Sequence, residues 1–252
     1  MIDSSNLGIE GRITIRYGDT KEVICTCHND VLYGNMAIAL AHALLGNPSG
    51  MLCYLALGNG GAFVNSTGAI TYKPSLGGAN SMVKNPAANL YNTVYVKKLS
   101  GYINGAETSV NQVYVPNVNY STNYEDVVVD ITLTYDEPPV GVLASSTIQQ
   151  CAIDNSPFIG QPNTGPLTTL APNKLVFNEI GLFVGTPNVF PGAATVSTTE
   201  VNTFVNQQTD FSRSAAAKSK LMVTHAIFHP VQKSANRAIE IIYTLRIQMG
   251  AL

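Results

Sequence analysis

The chain has 252 residues, of which 45% are hydrophobic and only 12% are charged, about half the usual charged share. A net charge of −2 does not indicate a basic surface that would bind nucleic acid. No apolar run reaches the roughly 18 residues of a membrane span. The start of the chain also lacks the pattern of a signal peptide. A monomer with so little charge would be poorly soluble, so we predict that sister subunits or other partners cover much of its surface.

The four cysteines are Cys25, Cys27, Cys53 and Cys151. Their spacing matches neither a disulfide framework nor a standard zinc site, which predicts buried thiols in a reducing cytoplasm. A zinc site of Cys25, Cys27, His28 and Cys53 is the alternative. It is disfavoured because three of the ligands would crowd into four residues, an unusual order for structural zinc. We therefore predict no metal and no cofactor.

The first predicted elements are two strands and a helix. Apolar and polar residues alternate over residues 9–17, which predicts a half-exposed strand, with residues 22–27 as its hairpin partner. Asn29 and Asp30 are predicted to cap a helix that runs to about Leu45. Its centre, MAIALAHALL, is apolar nearly all round, so we expect it to be buried in the domain or at a subunit contact.

Eight further segments are predicted to be strands, with long loops between them. The last two strands are expected to form an antiparallel pair, and residues 185–220 are expected to order mainly by contact with neighbours. The fold prediction is a single β-rich domain over residues 1–252, an antiparallel β-sandwich of jelly-roll type with one apolar N-terminal helix. The strands are predicted at 51–57, 92–100, 112–116, 127–135, 143–152, 175–184, 221–228 and 238–249, and the loops at about 58–90, 138–173 and 185–220.

A glycine-rich segment, Gly58-Asn59-Gly60-Gly61, follows one predicted strand. Such a loop could cradle a phosphate, but it lacks the lysine of a P-loop and the GxGxxG of a dinucleotide fold. We predict instead a turn whose glycines need positive φ angles.

The histidines give no clear metal site. His42 lies within the predicted helix without a second ligand at helical spacing, which favours a core or interface histidine. His225 and His229 are four residues apart, and on a regular strand they would lie about 13 Å apart, too far to share a metal.

Glu179 is the one charged residue in the apolar run LVFNEIGLFV, residues 175–184, which is predicted to be a buried strand. A catalytic role would need a second carboxylate, for example Asp130 or Asp154, within about 5–10 Å. Because buried charges are usually paired, we predict instead that Glu179 anchors a loop or a neighbouring subunit. Its partner is predicted to be a basic side chain or a set of backbone amides. No catalytic residue is predicted.

Three segments carry a resemblance to structural proteins of tailed bacteriophages. The sequence FNEIGLF at residues 177–183 resembles a segment of tail, baseplate and neck proteins. The helix at 35–46 with the strand LCYLALGNG at 52–60, and the two strands within 221–249, are similar too. Together they cover about a third of the chain. The resemblance implies no catalytic residues.

The resemblance and the low charge together predict a non-enzymatic structural subunit of a tailed-phage virion. It would be assembled in the host cytoplasm as a symmetric homo-oligomer of the neck, collar, tail or baseplate, in contact with other virion proteins and with neither nucleic acid nor membrane. The alternative is a receptor- or glycan-binding module of the tail, which a cluster of exposed tyrosines beside Asp or Asn would favour. A hydrolase embedded in the particle is a third hypothesis.

Overall fold

The computed structural model describes residues 6–64, 67–77, 82–85, 88–99, 112–116, 121–135, 174–185, 220–234 and 236–250. Within these residues the chain is mainly β with one helix, as predicted. The predicted strand at 143–152, Cys151, Asp154 and nearly all of the loops at 138–173 and 185–220 lie outside them. The elements are β1 (Asn6–Tyr17), β2 (Val23–Val31), α1 (Tyr33–Leu44), a 3-10 turn (Pro48–Gly50), β3 (Leu52–Gly58), β4 (Ala62–Val64), β5 (Ile70–Tyr72), β6 (Thr93–Lys98), β7 (Gln112–Tyr114), β8 (Tyr124–Leu133), β9 (Lys174–Gly185), β10 (Lys220–Ser234) and β11 (Ile239–Gly250).

Nine of the strands form one antiparallel sheet in the order β6-β3-β9-β10-β2-β1-β11-β8-β7. The predicted hairpin of β1 and β2 is confirmed, with Ile13 opposite Cys27. The small β4–β5 hairpin pairs separately, inside the segment predicted to be a loop at 58–90.

The predicted pairing of the last two strands is wrong. β10 pairs with β9 and β2, whereas β11 pairs with β1 and β8. The burial patterns give the reason. The first seven residues of β10 are all buried, so both of its faces need cover in the middle of the sheet. β11 has buried residues alternating with half-buried ones over most of its length, which suits a sheet with one wetter face.

The sheet is curled, so that its two ends approach each other across the core. The ladder between β2 and β10 has only two residue pairs, Val31 with Thr224 and Asp30 with His225, and it joins the two halves of the sheet. The Lys97 ammonium on β6 donates to the Thr132 carbonyl on β8, near the opposite end. One hydrophobic cluster accordingly spans both halves. The antiparallel β class is confirmed, and the division into two stacked sheets of jelly-roll type stays a prediction.

The helix starts later than predicted. Asn29 and Asp30 belong to β2, and Leu32 precedes the helix without a side-chain cap. Pairing of Asp30 with β10 keeps these residues extended and so overrides their capping tendency. The predicted end is confirmed, because Gly46 follows the helix with a φ of +67°.

Within the chain only one side of α1 is buried, and a subunit contact over the other side stays a prediction. Gly34, Asn35, Met36 and Ala39 face the protein. The Asn35 amide fixes this side by donating to the Met222 carbonyl at 2.8 Å, and Asn35 also exchanges hydrogen bonds with the backbone of Asn85. Leu44 and Leu45, at the other end of the helix, are 89% and 81% exposed.

Candidate functional site

Glu179 lies in the middle of β9 and is completely buried. Its neighbours across the two ladders are Gly58 on β3 and Ile227 on β10. β3 ends at Gly58, and the register of β10 shifts directly after Ile227. The carboxylate therefore lies where the chain leaves the ladders on both sides of β9.

Four donors surround this carboxylate. Oε1 accepts hydrogen bonds from the amides of Gly60 and Asn92, each at 2.9 Å. Oε2 accepts one from the amide of Tyr91 at 3.0 Å and lies 3.2 Å from His225 Nε2. The prediction that Glu179 is held by backbone amides or a basic side chain is confirmed. An ionised carboxylate matches this set, because every partner can donate a hydrogen.

His225 is also completely buried and connects the carboxylate to a further loop. Its Nδ1 accepts a hydrogen bond from the Leu76 amide at 3.0 Å. Since Nδ1 must then be without a hydrogen, the geometry assigns the ring hydrogen to Nε2, which donates to Glu179. His225 is thus a neutral link between Glu179 and the segment that follows β5. The ring also packs against Tyr91, with centroids 5.8 Å apart.

Asn178 extends the same network. Its Oδ1 accepts from the Gly61 amide at 2.9 Å, and its Nδ2 donates to the Asn59 carbonyl at 3.1 Å. The Asn59 side chain in turn accepts from the amide group of Asn92 at 3.0 Å. Asn178 and Glu179 together hold three consecutive residues of the glycine-rich segment. We call the side chains of Asn178, Glu179 and His225 with their bonded backbone the carboxylate network.

The glycines of this segment serve close approach rather than positive φ. Among the described residues the only glycines with positive φ are Gly46 and Gly68, so the prediction for residues 58–61 is wrong. A Cβ on Gly58 would lie 2.4 Å from Glu179 Oε1. The Gly60 amide binds Glu179 and the Gly61 amide binds Asn178, so neither is free for a phosphate.

The second carboxylate of the hydrolase hypothesis lies with other partners. Asp130, on β8, is half-buried, and burial raises the pKa of its carboxyl, with a further rise from the nearby Glu240 and an opposing effect from Arg16. Asp154 is outside the described residues. Glu179 itself has no exposed surface and four hydrogen-bond partners, which suits an anchor rather than a general acid or base.

The cysteines do not assemble with His28 into a metal site. Cys25 and Cys27 are neighbours on β2, whereas Cys53 lies on β3, beyond β10 and β9, with its thiol 3.6 Å from the Phe183 carbonyl. No cluster of three or more His, Cys, Asp or Glu side chains suited to a metal occurs in the described part of the chain. A hydrogen bond with the Cys27 thiol lowers the pKa of the Cys25 thiol to about 7. The same hydrogen bond, together with burial, raises the pKa of the Cys27 thiol.

The two histidines of β10 point into different surroundings. A shift of register between Ile227 and Val231 separates buried His225 from His229, which is exposed. The Nδ1 of His229 lies 3.1 Å from the Tyr72 hydroxyl. His42 is half-buried on α1.

The sequence did not identify Asn178 and His225 as parts of the network. For Asn178 a signal existed, since it is a second polar residue beside Glu179 in an apolar run. For His225 there was none, because its contact with Glu179 joins positions 46 residues apart.

The carboxylate network joins three parts of the chain that are distant in sequence, FNEIGLF at 177–183, ALGNG at 56–60 and β10 at His225. No family model matches the chain, and no curated protein or solved structure is significantly similar to it. Among the described residues, no helix has the length and hydropathy needed to cross a membrane.

Proposed function

We propose that this chain is a non-enzymatic structural subunit of a tailed-phage virion, which assembles as a symmetric homo-oligomer in the neck, collar, tail or baseplate. The observation that carries the proposal is an apolar surface at the end of α1. Leu44 and Leu45 are 89% and 81% exposed, and Met51 is 44% exposed just beyond the helix. Exposed apolar residues grouped in this way are typical of protein–protein contact sites.

The exposed residues form a stripe along α1. Ala37, Ala41, Leu44 and Leu45 have helical spacing and all face solvent, while the other side of the helix packs on the protein. Small residues followed by two leucines allow a second helix to approach closely and pack into the stripe. The same stripe on another copy is the natural occupant, because closed symmetric oligomers repeat one surface patch on every subunit.

The carboxylate network supports the proposal by making the subunit rigid. It fixes residues 59–61, 76 and 91–92 to the centre of the sheet through hydrogen bonds with buried side chains. A rigid subunit loses less conformational entropy when it assembles, which favours a single defined oligomer.

The test is sedimentation velocity of the wild type and the double variant Leu44→Lys/Leu45→Lys. We expect the wild type to sediment as an oligomer and the double variant as a monomer, because two charges cannot be buried unpaired at the contact. Val115→Lys is the matched control, since Val115 is also apolar and exposed (48%) but lies far from α1 in sequence. If the double variant sediments like the wild type, the α1 stripe is not the contact.

A receptor- or glycan-binding module of the tail is the second candidate. Tyr72 and Tyr91 are 47% and 37% exposed, and Asn92 follows Tyr91. The Lys73 ammonium lies 4.5 Å from the centre of the Tyr91 ring, and the Tyr72 hydroxyl contacts His229. These tyrosines would form the contact surface, and loss of binding to host-cell envelopes in Tyr72→Ala would support this candidate. Equal binding by Tyr72→Ala and the wild type would count against it.

A further inference from the structure

The segment of residues 82–84 lies across the first turn of α1. A Cβ on Gly34 would lie 2.6 and 2.7 Å from backbone atoms of this segment, so the helix and the segment are in close contact at this glycine. Asn35 holds the segment in place by exchanging two hydrogen bonds of 2.8 Å with the backbone of Asn85. The 82–84 segment is thus fixed to the N-terminal end of the helix.

The segment adds apolar surface to the face of α1 that carries the stripe. Gly34 precedes Ala37 by three residues and Ala41 by seven, so all three lie on the same face of the helix. Met82 and Val83, whose backbone packs on Gly34, are 75% and 69% exposed. This face therefore has an exposed apolar group at its N-terminal end, in addition to the two leucines at its C-terminal end.

The α1 stripe alone is too small for a stable contact. A helix of 12 residues is about 18 Å long and about 10 Å wide, so one exposed side offers on the order of 200 Å². Specific interfaces bury about 800 Å² on each partner. The contact must therefore extend beyond the helix, and Met82 and Val83 are exposed apolar residues that adjoin the stripe.

The stripe has a depression in its middle. Ala37 and Ala41 carry only methyl groups, whereas the 82–84 segment and the two leucines rise above the helix at either end. Two such faces fill each other's depressions when the helices run in opposite directions with an offset along their axes, because the leucines of one copy then lie over the alanines of the other. In a parallel pair, leucines would face leucines and leave a gap over the alanines.

The charge of Lys84 favours the same direction. Lys84 is exposed and lies at the N-terminal end of α1, where the helix dipole is positive and a cation is unfavourable. Beside an antiparallel helix, Lys84 lies near the C-terminal end of the partner's α1, where the dipole is negative and a cation is favourable. A parallel helix would instead bring Lys84 close to the partner's Lys84.

We propose that two copies of the chain pair through antiparallel α1 helices about a two-fold axis, with the leucines of each stripe seated between the partner's alanines and the partner's Val83. The inference rests on the proposed assembly through the α1 stripe, and it adds the direction of the helices and the second surface of the contact. The contact is closed, because a two-fold axis uses the same patch on both subunits.

The test is crosslinking of introduced cysteines with a short bis-maleimide. Leu44→Cys and Val83→Cys are expressed alone and together, and the linked peptides are identified by mass spectrometry, which separates them from links through the native cysteines. We expect the coexpressed variants to give a covalent dimer joined between positions 44 and 83, and neither variant alone to link a position to itself. Val115→Cys, coexpressed with Leu44→Cys, is the matched control and should give no link, because Val115 is exposed but follows β7.

The contrary results separate the inference from the proposed assembly. A link between positions 44 of two subunits in Leu44→Cys alone would show parallel helices and overturn the inference, although the stripe would remain the contact. In the double variant Leu44→Cys/Val83→Cys, a ladder of species larger than a dimer, linked between positions 44 and 83, would show a head-to-tail contact and overturn the two-fold axis. An oligomer without any link between positions 44 and 83 would overturn the inference, whereas a monomeric wild type would overturn the proposed assembly as well.

Lys84→Glu gives a second readout. A carboxylate at the N-terminal end of its own helix should leave the melting temperature unchanged or raise it. The same carboxylate near the negative end of the partner's helix should weaken association about fivefold, as measured by sedimentation equilibrium. Association that is unchanged or tighter in Lys84→Glu would overturn the antiparallel direction.

Discussion

Glu179→Gln tests the carboxylate network most sharply, because it keeps the shape of the side chain and removes its charge. The glutamine oxygen can replace only one of the two carboxylate oxygens. If it replaces Oε1, its NH2 group faces the Tyr91 amide and His225, both of which donate to Glu179 in the wild type. If it replaces Oε2, the NH2 group faces the amides of Gly60 and Asn92. In either orientation two buried hydrogen-bond donors lose their acceptor and face the NH2 group of the glutamine instead.

The expected loss of stability follows from this count. Hydrogen bonds to charged groups contribute about 1.5–3 kcal/mol each, and either orientation of the glutamine loses two of them. We expect Glu179→Gln to lower the free energy of unfolding by about 3–6 kcal/mol, a large part of the about 5–15 kcal/mol typical of a domain. A change of His225 tautomer would not recover the loss, because His225 would then lose its bond from the Leu76 amide.

Urea unfolding followed by far-ultraviolet circular dichroism is the assay, since the chain has no tryptophan. With a slope of about 3 kcal/mol per molar urea, the midpoint should fall by more than about 1 M. Glu22→Gln is the matched control, because Glu22 is exposed, and it should change stability by less than about 0.5 kcal/mol. A loss below about 1 kcal/mol for Glu179→Gln would refute the account of the network.

Three further predictions concern glycine, lysine and cysteine residues. Gly58→Ala should destabilise the protein by about 1–3 kcal/mol in the same urea assay, because its Cβ would overlap the Glu179 carboxylate. Burial lowers the pKa of Lys220 from 10.5 to about 7, so between these values the unfolded chain binds a proton that the folded protein does not. Stability should therefore rise with pH across this window, and Lys220→Met should lack that rise. Iodoacetamide at neutral pH should modify Cys25 before Cys27, as read by peptide mass spectrometry, because Cys25 has the lower pKa.

Each of these predictions has a control and a contrary result. Gly8→Ala is the control for Gly58, because the atoms that its Cβ would meet belong to the flexible side chain of Gln248, and equal losses in the two variants would count against the steric argument. For Lys220, a wild type and a Met variant with the same pH dependence would contradict the lowered pKa. For Cys25, the variant Cys27→Ala should slow alkylation, and an unchanged rate would show that the thiol hydrogen bond is unimportant.

Local patterns predicted most of the described strands. Alternation over residues 9–17 and 127–135 and the apolar run at 175–184 each became a strand within a few residues of the predicted ends. The end of the helix was predicted correctly from Gly46, because the positive φ that ends the helix is a local property of this glycine. The β4–β5 hairpin was missed because its three-residue strands are too short to show a period.

The errors concern information that is not local. The pairing of β10 with β9 and β2 depends on which faces must be covered, and adjacent strands in sequence pair only part of the time. The predicted start of the helix was wrong because the pairing of Asp30 with His225 between two strands outweighed the tendency of Asn29 and Asp30 to cap a helix. At the site, the rule that buried charges are paired predicted the kind of partner for Glu179. It did not predict the partners themselves, because the Gly60 amide is 119 residues away in sequence.

The central claim, that the chain is a subunit of a symmetric assembly, is tested most directly by the mass of the purified wild-type protein in solution. Multi-angle light scattering at several concentrations measures it without a label. We predict a fixed whole-number multiple of 26.8 kDa that persists on dilution. A mass of 26.8 kDa at every concentration would contradict self-assembly and would favour the binding-module alternative.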